Sequence, residues 1–161
     1  ERGRISEYAK RRPGVRFVES GSVWQTPVDI AIPSATQNEL SLEDAQALIA
    51  NGVRAVSEGA NMPCVPEAVG AFQDAGVLFA PGKAANAGGV APSALEMSQN
   101  AARQHWSFGD SEQKLRRIMA DIHRASFEAA ERYGFEGDYV AGANIAGFSR
   151  VVDAMLAQGV V

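Results

Sequence analysis

One cysteine, Cys64, stands in 161 residues. A single thiol excludes an intrachain disulfide and a cysteine-rich zinc site, and it fits a reducing compartment. Thiol catalysis would need a histidine beside the sulfur, and nothing in the sequence places His105 or His123 there. Cys64 therefore reads as a small buried or half-buried residue, and no metal is expected. No apolar run approaches the roughly 18–20 residues that span a bilayer, and the amino terminus lacks a charged-then-apolar signal pattern. The expectation is a cytoplasmic protein with no membrane partner. Positive charge is scarce too: 15 Lys and Arg against 19 Asp and Glu give a net charge of -4. That balance leaves no basic stripe for a phosphate backbone, so nucleic acid is not an expected partner. The one basic cluster, Arg2, Arg4, Lys10, Arg11 and Arg12, reads as the solvated face of a terminal helix. The chain opens at Glu1 without a methionine, inside that helix, and so reads as a piece of something longer.

What is present is enough apolar residue, 46%, for one compact domain with a core. Residues 4–12 read as a helix ended by Pro13-Gly14, and 15–18 as a short strand. Residues 28–33 are apolar at nearly every position, as parallel strands covered on both faces tend to be. Ser41, with Glu43 and Asp44 behind it, starts a helix that Asn51-Gly52 stops. Residues 54–58 form the next strand, 66–74 the next helix and 77–80 the strand after it, ended by Pro81-Gly82. Strand, helix, strand, helix, strand with short links predicts right-handed crossovers and a parallel sheet. From Asn86 onward three helices follow, over 92–105, 111–133 and 143–158. The middle one carries a packing stripe of Leu115, Ile118, Met119, Ile122, Ala125 and Ala129.

Ligands of open parallel sheets bind beyond the carboxyl ends of the strands. Three such ends are unusual here: residues 33–38, Glu58-Gly59-Ala60-Asn61-Met62-Pro63, and residues 81–90. Each pairs small residues, which let a ligand approach the backbone, with an amide side chain that both donates and accepts. Such a set suits a polar, uncharged ligand edge. Lys83 lies in the third loop, but its spacing is not that of a P-loop and no Ser or Thr follows it, so it reads as structural.

The run Pro81-Gly82-Lys83-Ala84-Ala85-Asn86-Ala87-Gly88-Gly89-Val90, continuing through Ser93 to Leu95-Glu96-Met97-Ser98-Gln99-Asn100, resembles the signature of hexameric glutamate dehydrogenases. Ala35-Thr36-Gln37-Asn38-Glu39-Leu40, the loop from Glu58, Gly142-Ala143-Asn144-Ile145-Ala146-Gly147-Phe148 and an ending that runs to Gly159-Val160 extend the likeness over nearly the whole chain. The details resemble the NADP-linked bacterial and fungal branch. The resemblance implies an α/β fold, with the second half of a Rossmann-like parallel sheet followed by carboxyl-terminal helices. Residues 1–90 would be a partial nucleotide-binding domain, and 91–161 a helical segment packed on it. The implied reaction interconverts glutamate with 2-oxoglutarate and ammonia, using NADP in preference to NAD, in a homo-hexamer. Asn61 and Asn86 would lie along the nicotinamide and its ribose, with Ala35, Thr36 and Gln37 lining the coenzyme cleft. Val90 would meet the glutamate methylenes and Ser93 the side-chain carboxylate, although Ser93 could also cap a helix.

Pro92 stands where related sequences often have threonine, and Cys64-Val65-Pro66 replaces a more usual Thr-Thr-Ile. Residues 107–111 also diverge, in what reads as a surface turn. The glycine-rich dinucleotide fingerprint and the family's catalytic lysine and aspartate are not in these residues, so no catalytic residue is assigned and the chain alone is expected to be inactive. Two alternatives stand beside this reading. One is a non-catalytic nucleotide-binding or oligomerisation module of the same fold, its open sheet edge inviting self-association. The other is a related dehydrogenase of a different amino acid, against which the hydroxyl of Ser93 argues.

Overall fold

A computed structural model describes residues 3–159 of the chain. Arg2 of the basic cluster and Val160 of the carboxyl-terminal motif lie outside them. The first helix, α1 (Ile5–Arg11), buries none of its residues, as a solvated terminal helix should. No strand forms at 15–18: Val15, Phe17 and Val18 are exposed, because extended backbone without a neighbouring strand has nothing to pair with.

Three strands, β1 (Ile30–Ala31), β2 (Ala55–Ser57) and β3 (Leu78–Ala80), form a parallel sheet in the order β1-β2-β3. The helices α2 (Leu42–Ala50) and α3 (Pro66–Asp74) connect them. Ser41 begins α2 with a capping box: its hydroxyl accepts from the Asp44 amide while the Asp44 carboxylate accepts from the Ser41 amide. Pro66 occupies the first turn of α3, where its missing N–H costs nothing. The core lies between these helices and one face of the sheet. It joins Ala31, Val56 and Phe79 to Leu48, Ala68 and Phe72, and the two phenyl rings stack with centroids 6.0 Å apart.

The expectation of a first strand buried on both faces needs correcting. Ala31 and Pro33 are buried, but Ile30 and Ile32 are 60% and 59% exposed, as is Leu78 at 53%. The register aligns Ile30, Ala55 and Leu78 in one row across the sheet. The core that α2 and α3 share with the sheet covers the other face, so the two ends of this row, Ile30 and Leu78, are exposed while Ala55 between them is half-buried.

The helical half differs from its expected boundaries at every start. The strand-end segment 81–90 is not a loop: α4 (Gly82–Ala85) is followed directly by α5 (Ala87–Ala101), which begins five residues before Pro92. Gly88 and Gly89 are helical there and make no turn; a Cβ on Gly88 would sit in ordinary contact, 3.6 Å from Met119 Sδ and 3.8 Å from Leu115 Cδ1, and one on Gly89 would meet nothing within 4 Å. Residues 107–111 are not a surface turn but the start of α6 (Phe108–Arg132), with Ser107 and Asp110 forming a second capping box. The last helix, α7 (Tyr139–Gln158), starts four residues earlier than its apolar pattern suggests, because the Asp138 carboxylate accepts from the Val140 and Ala141 amides at 2.8 and 2.9 Å. Of the expected stripe on α6, Leu115, Ile118, Met119, Ile122 and Ala129 are half-buried and Ala125 is exposed, while the fully buried positions are Ser126 and Ala130. The reason is where α7 crosses. Gly142 rides on the Ser126 carbonyl, 2.1 Å from where a Cβ would be.

Candidate functional site

The three carboxyl strand ends are tied into one assembly by hydrogen bonds that begin in the backbone. The Gly59 and Ala60 amides donate to the Pro33 carbonyl at 2.9 and 3.1 Å, and the Asn38 amide donates to the Met62 carbonyl at 2.9 Å. Asn38 and Met62 both adopt the left-handed conformation, with φ near +55°, which is uncommon for side chains larger than glycine. Leu40 and Cys64 then form a parallel bridge that closes the first loop on the second. The second loop joins the third through Asn86, whose amide nitrogen donates to the Ala60 carbonyl at 2.9 Å and to Asn61 Oδ1 at 2.6 Å. A carbonyl can only accept, so Ala60 fixes which way the Asn86 amide faces, and Asn86 in turn orients Asn61.

The consequence is a matched pair of unused groups. Among the described residues Asn86 Oδ1 accepts nothing and Asn61 Nδ2 donates nothing. One acceptor and one donor remain side by side at the end of the sheet, which suits a carboxamide or a sugar hydroxyl.

Glu58 at the end of β2 is the element that sequence reasoning left without a role. It is 6% exposed. Its Oε2 accepts from the Gly82 amide at 2.7 Å and its Oε1 from the Cys64 amide at 3.2 Å. The signal was available in the period of the strand: Val56 is buried, so Glu58, two residues on, falls on the same face. Gly82 is needed where it stands. A Cβ there would meet the Ala60 carbonyl at 2.9 Å, Glu58 Oε2 at 3.3 Å and Asn86 Nδ2 at 3.4 Å. Cys64 is buried, as expected, and burial pushes its thiol well above the usual range, with the charge of Glu58 adding to the effect.

The other expected residues fall at the rim. Ala35, Thr36 and Gln37 lie in the exposed first loop, where the Ala35 amide donates to Glu39 Oε1 at 2.8 Å. Val90, 70% exposed, and Ser93 stand on α5 one turn apart, so they share a face that follows directly from Asn86. Ser93 is mid-helix and caps nothing; its hydroxyl donates to the Gly89 carbonyl at 3.4 Å. Lys83 reaches away from the strand ends and donates to Asn144 Oδ1, tethering α4 to α7. A larger cleft of about 450 Å³ lies between α6 and α7, lined by Lys83, Ile118, Asp121, Ala143 and Arg150. Among the described residues no group of three His, Cys, Asp or Glu is placed to hold a metal ion, and no helix is long and apolar enough to cross a membrane.

The model of the glutamate/leucine/phenylalanine/valine dehydrogenases matches residues 1–159. The chain belongs to that family. Among its relatives, the NADP-specific glutamate dehydrogenase of Escherichia coli is 59% identical over an alignment of 162 positions that covers 99% of this chain and 35% of that protein. The glutamate dehydrogenase of Bacteroides thetaiotaomicron is 56% identical over an alignment of 164 positions that covers 99% of this chain and 36% of its own length. The crystal structure of Plasmodium falciparum glutamate dehydrogenase superposes with a TM-score of 0.94 at 42% identity, over 99% of this chain and 34% of that one. The family member described here thus spans about a third of the length of the relatives it matches.

Proposed function

We propose that this chain is the carboxyl-terminal part of an NADP-dependent glutamate dehydrogenase, which interconverts L-glutamate with 2-oxoglutarate and ammonia. The observation that carries the reading is the Asn61–Asn86 pair, whose free donor and acceptor match the carboxamide and ribose of a nicotinamide coenzyme. The coenzyme when bound exchanges a hydride with the substrate's alpha carbon. Ala35, Thr36 and Gln37 line its cleft, while Gly59 and Gly82, without side chains, let the three strand-end segments pack closely enough to form the amide pair. Val90 offers an apolar contact to the substrate methylenes, and the Ser93 hydroxyl donates to the side-chain carboxylate. Such a bond to a charged acceptor is worth about 1.5–3 kcal/mol.

NADP is preferred to NAD because several relatives are named NADP-specific. The pyrophosphate-binding loop and the catalytic acid and base lie in the other two thirds of the relatives' length. Residues 1–90 and 91–161 then act as one partial nucleotide domain with its helical extension, cytoplasmic and within a homo-hexamer.

The test is glutamate-dependent NADP reduction by the complete natural polypeptide, compared with its Ser93→Ala variant. We expect the KM for glutamate to rise about 10-fold or more with the KM for NADP unchanged. Turnover of NADP without dependence on glutamate would reject the substrate assignment. The 161-residue chain alone is expected to show no turnover.

A further inference from the structure

We infer that Glu58 is a positioning residue for the coenzyme's nicotinamide end, acting through the two loops that it clamps and not by touching the ligand. This rests on the reading of Asn61 and Asn86 given above.

Hydrogen bonds link Glu58, Gly82, Asn86, Asn61 and Cys64 in a closed circuit. Glu58 Oε2 holds the Gly82 amide and thereby the first turn of α4. The Asn86 amide in turn donates to the Gly82 carbonyl at 2.9 Å, so the clamp is transmitted through one helical turn to the residue that bears the working side chain. Glu58 Oε1 holds the Cys64 amide and with it the far end of the loop that carries Asn61. Asn86 closes the circuit by bonding Ala60 and Asn61. Among the described residues no cation bonds the Glu58 carboxylate; two backbone amides hold it, with the Cys64 thiol as a further donor beside it.

Those amides belong to different loops, so the spacing between the loops is fixed by the span of one carboxylate. An apolar replacement would leave two buried donors unpaired. A glutamine would keep the volume but could accept at one oxygen only, leaving its amide nitrogen facing a backbone N–H. Either loop would then shift, and the separation of Asn61 from Asn86 would shift with it.

The experiment measures equilibrium binding to the complete natural polypeptide of two probes, NADP and adenosine 2′,5′-bisphosphate, which lacks the nicotinamide. Glu58→Gln is expected to weaken NADP by about 10-fold or more while leaving the adenosine fragment within two-fold of wild type. Asn86→Ala is expected to do the same. Unchanged NADP affinity in Glu58→Gln, beside a loss in Asn86→Ala, would overturn the role of Glu58 and leave the coenzyme site standing. Equal weakening of both probes would mean a general loss of structure and would also overturn it. Full NADP affinity in Asn86→Ala would remove the reading on which the inference depends. If Glu58→Gln does not fold, Glu58→Asp, which keeps the charge but is one methylene too short to reach both amides, is measured in the same way and judged by the same outcomes.

Discussion

Cys64 and Glu58 meet beyond the end of β2, where burial first and the charge of Glu58 second keep the thiol protonated. The folded-state pKa of Cys64 is raised, so the native protein holds this proton more tightly than the unfolded chain does. Its contribution to stability is therefore fully present below the ordinary thiol value of 9.0 and is lost as pH rises above it. We expect the stability advantage of wild type over Cys64→Ala, measured by urea unfolding, to be constant from pH 6 to 8 and to shrink above pH 9. A difference that grows with pH would contradict the burial argument. The burial of Cys64 was legible in the sequence because one thiol without a histidine has little else to do. The clamp made by Glu58 was not. A carboxylate at a strand end looks like any solvated acid until the strand's period and the two facing amides are set together. Asn61 and Asn86 stood out from the chemistry of their side chains, whereas the bond between them depends on a loop spacing that sequence does not express.

At the scale of elements, the crossing of α6 and α7, the most extensive helix pair in the fold, is set by one missing methyl group. A Cβ on Gly142 would lie 2.1 Å from the Ser126 carbonyl and 3.1 Å from Ala130 Cβ, and a backbone oxygen cannot rotate away. Gly142→Ala is expected to destabilise by about 3 kcal/mol or more, at the upper end of overpacking costs. Gly147 lies on the same helix with nothing within 4 Å. Its alanine variant should be neutral or stabilising by about 0.5–1 kcal/mol through helix propensity alone. Urea unfolding of both variants checks the contrast, and equal effects would mean that the helices do not cross where described. Helix starts were legible where a side-chain cap was weighed, as at Ser41, and missed where apolar periodicity alone was followed, as at Ser107 and Asp138. The glycines of 81–90 misled because the same residue serves turns and close helix packing. Gly82 is tight against the Ala60 carbonyl whereas Gly88 and Gly89 have ordinary room, and only positions in space tell them apart.

For the whole molecule, the order of strands and helices, read from alternating apolar segments and their stops, predicted the parallel sheet with its strand ends gathered at one edge. What periodicity could not say is which face of the sheet the chain itself covers. The core formed with α2 and α3 protects one side and leaves the row of Ile30 and Leu78 open on the other. That asymmetry accords with a chain that makes up about a third of its relatives' length. The central claim is that the strand-end amides receive the nicotinamide end of NADP. The most direct measurement follows the side-chain amide resonances of Asn61 and Asn86 in ¹⁵N-labelled protein during titration with NADP, with adenosine 2′,5′-bisphosphate as the control. Both resonances should move with NADP and stay in place with the adenosine fragment. Saturable binding of NADP that leaves both resonances where they were would place the coenzyme elsewhere and contradict the assignment.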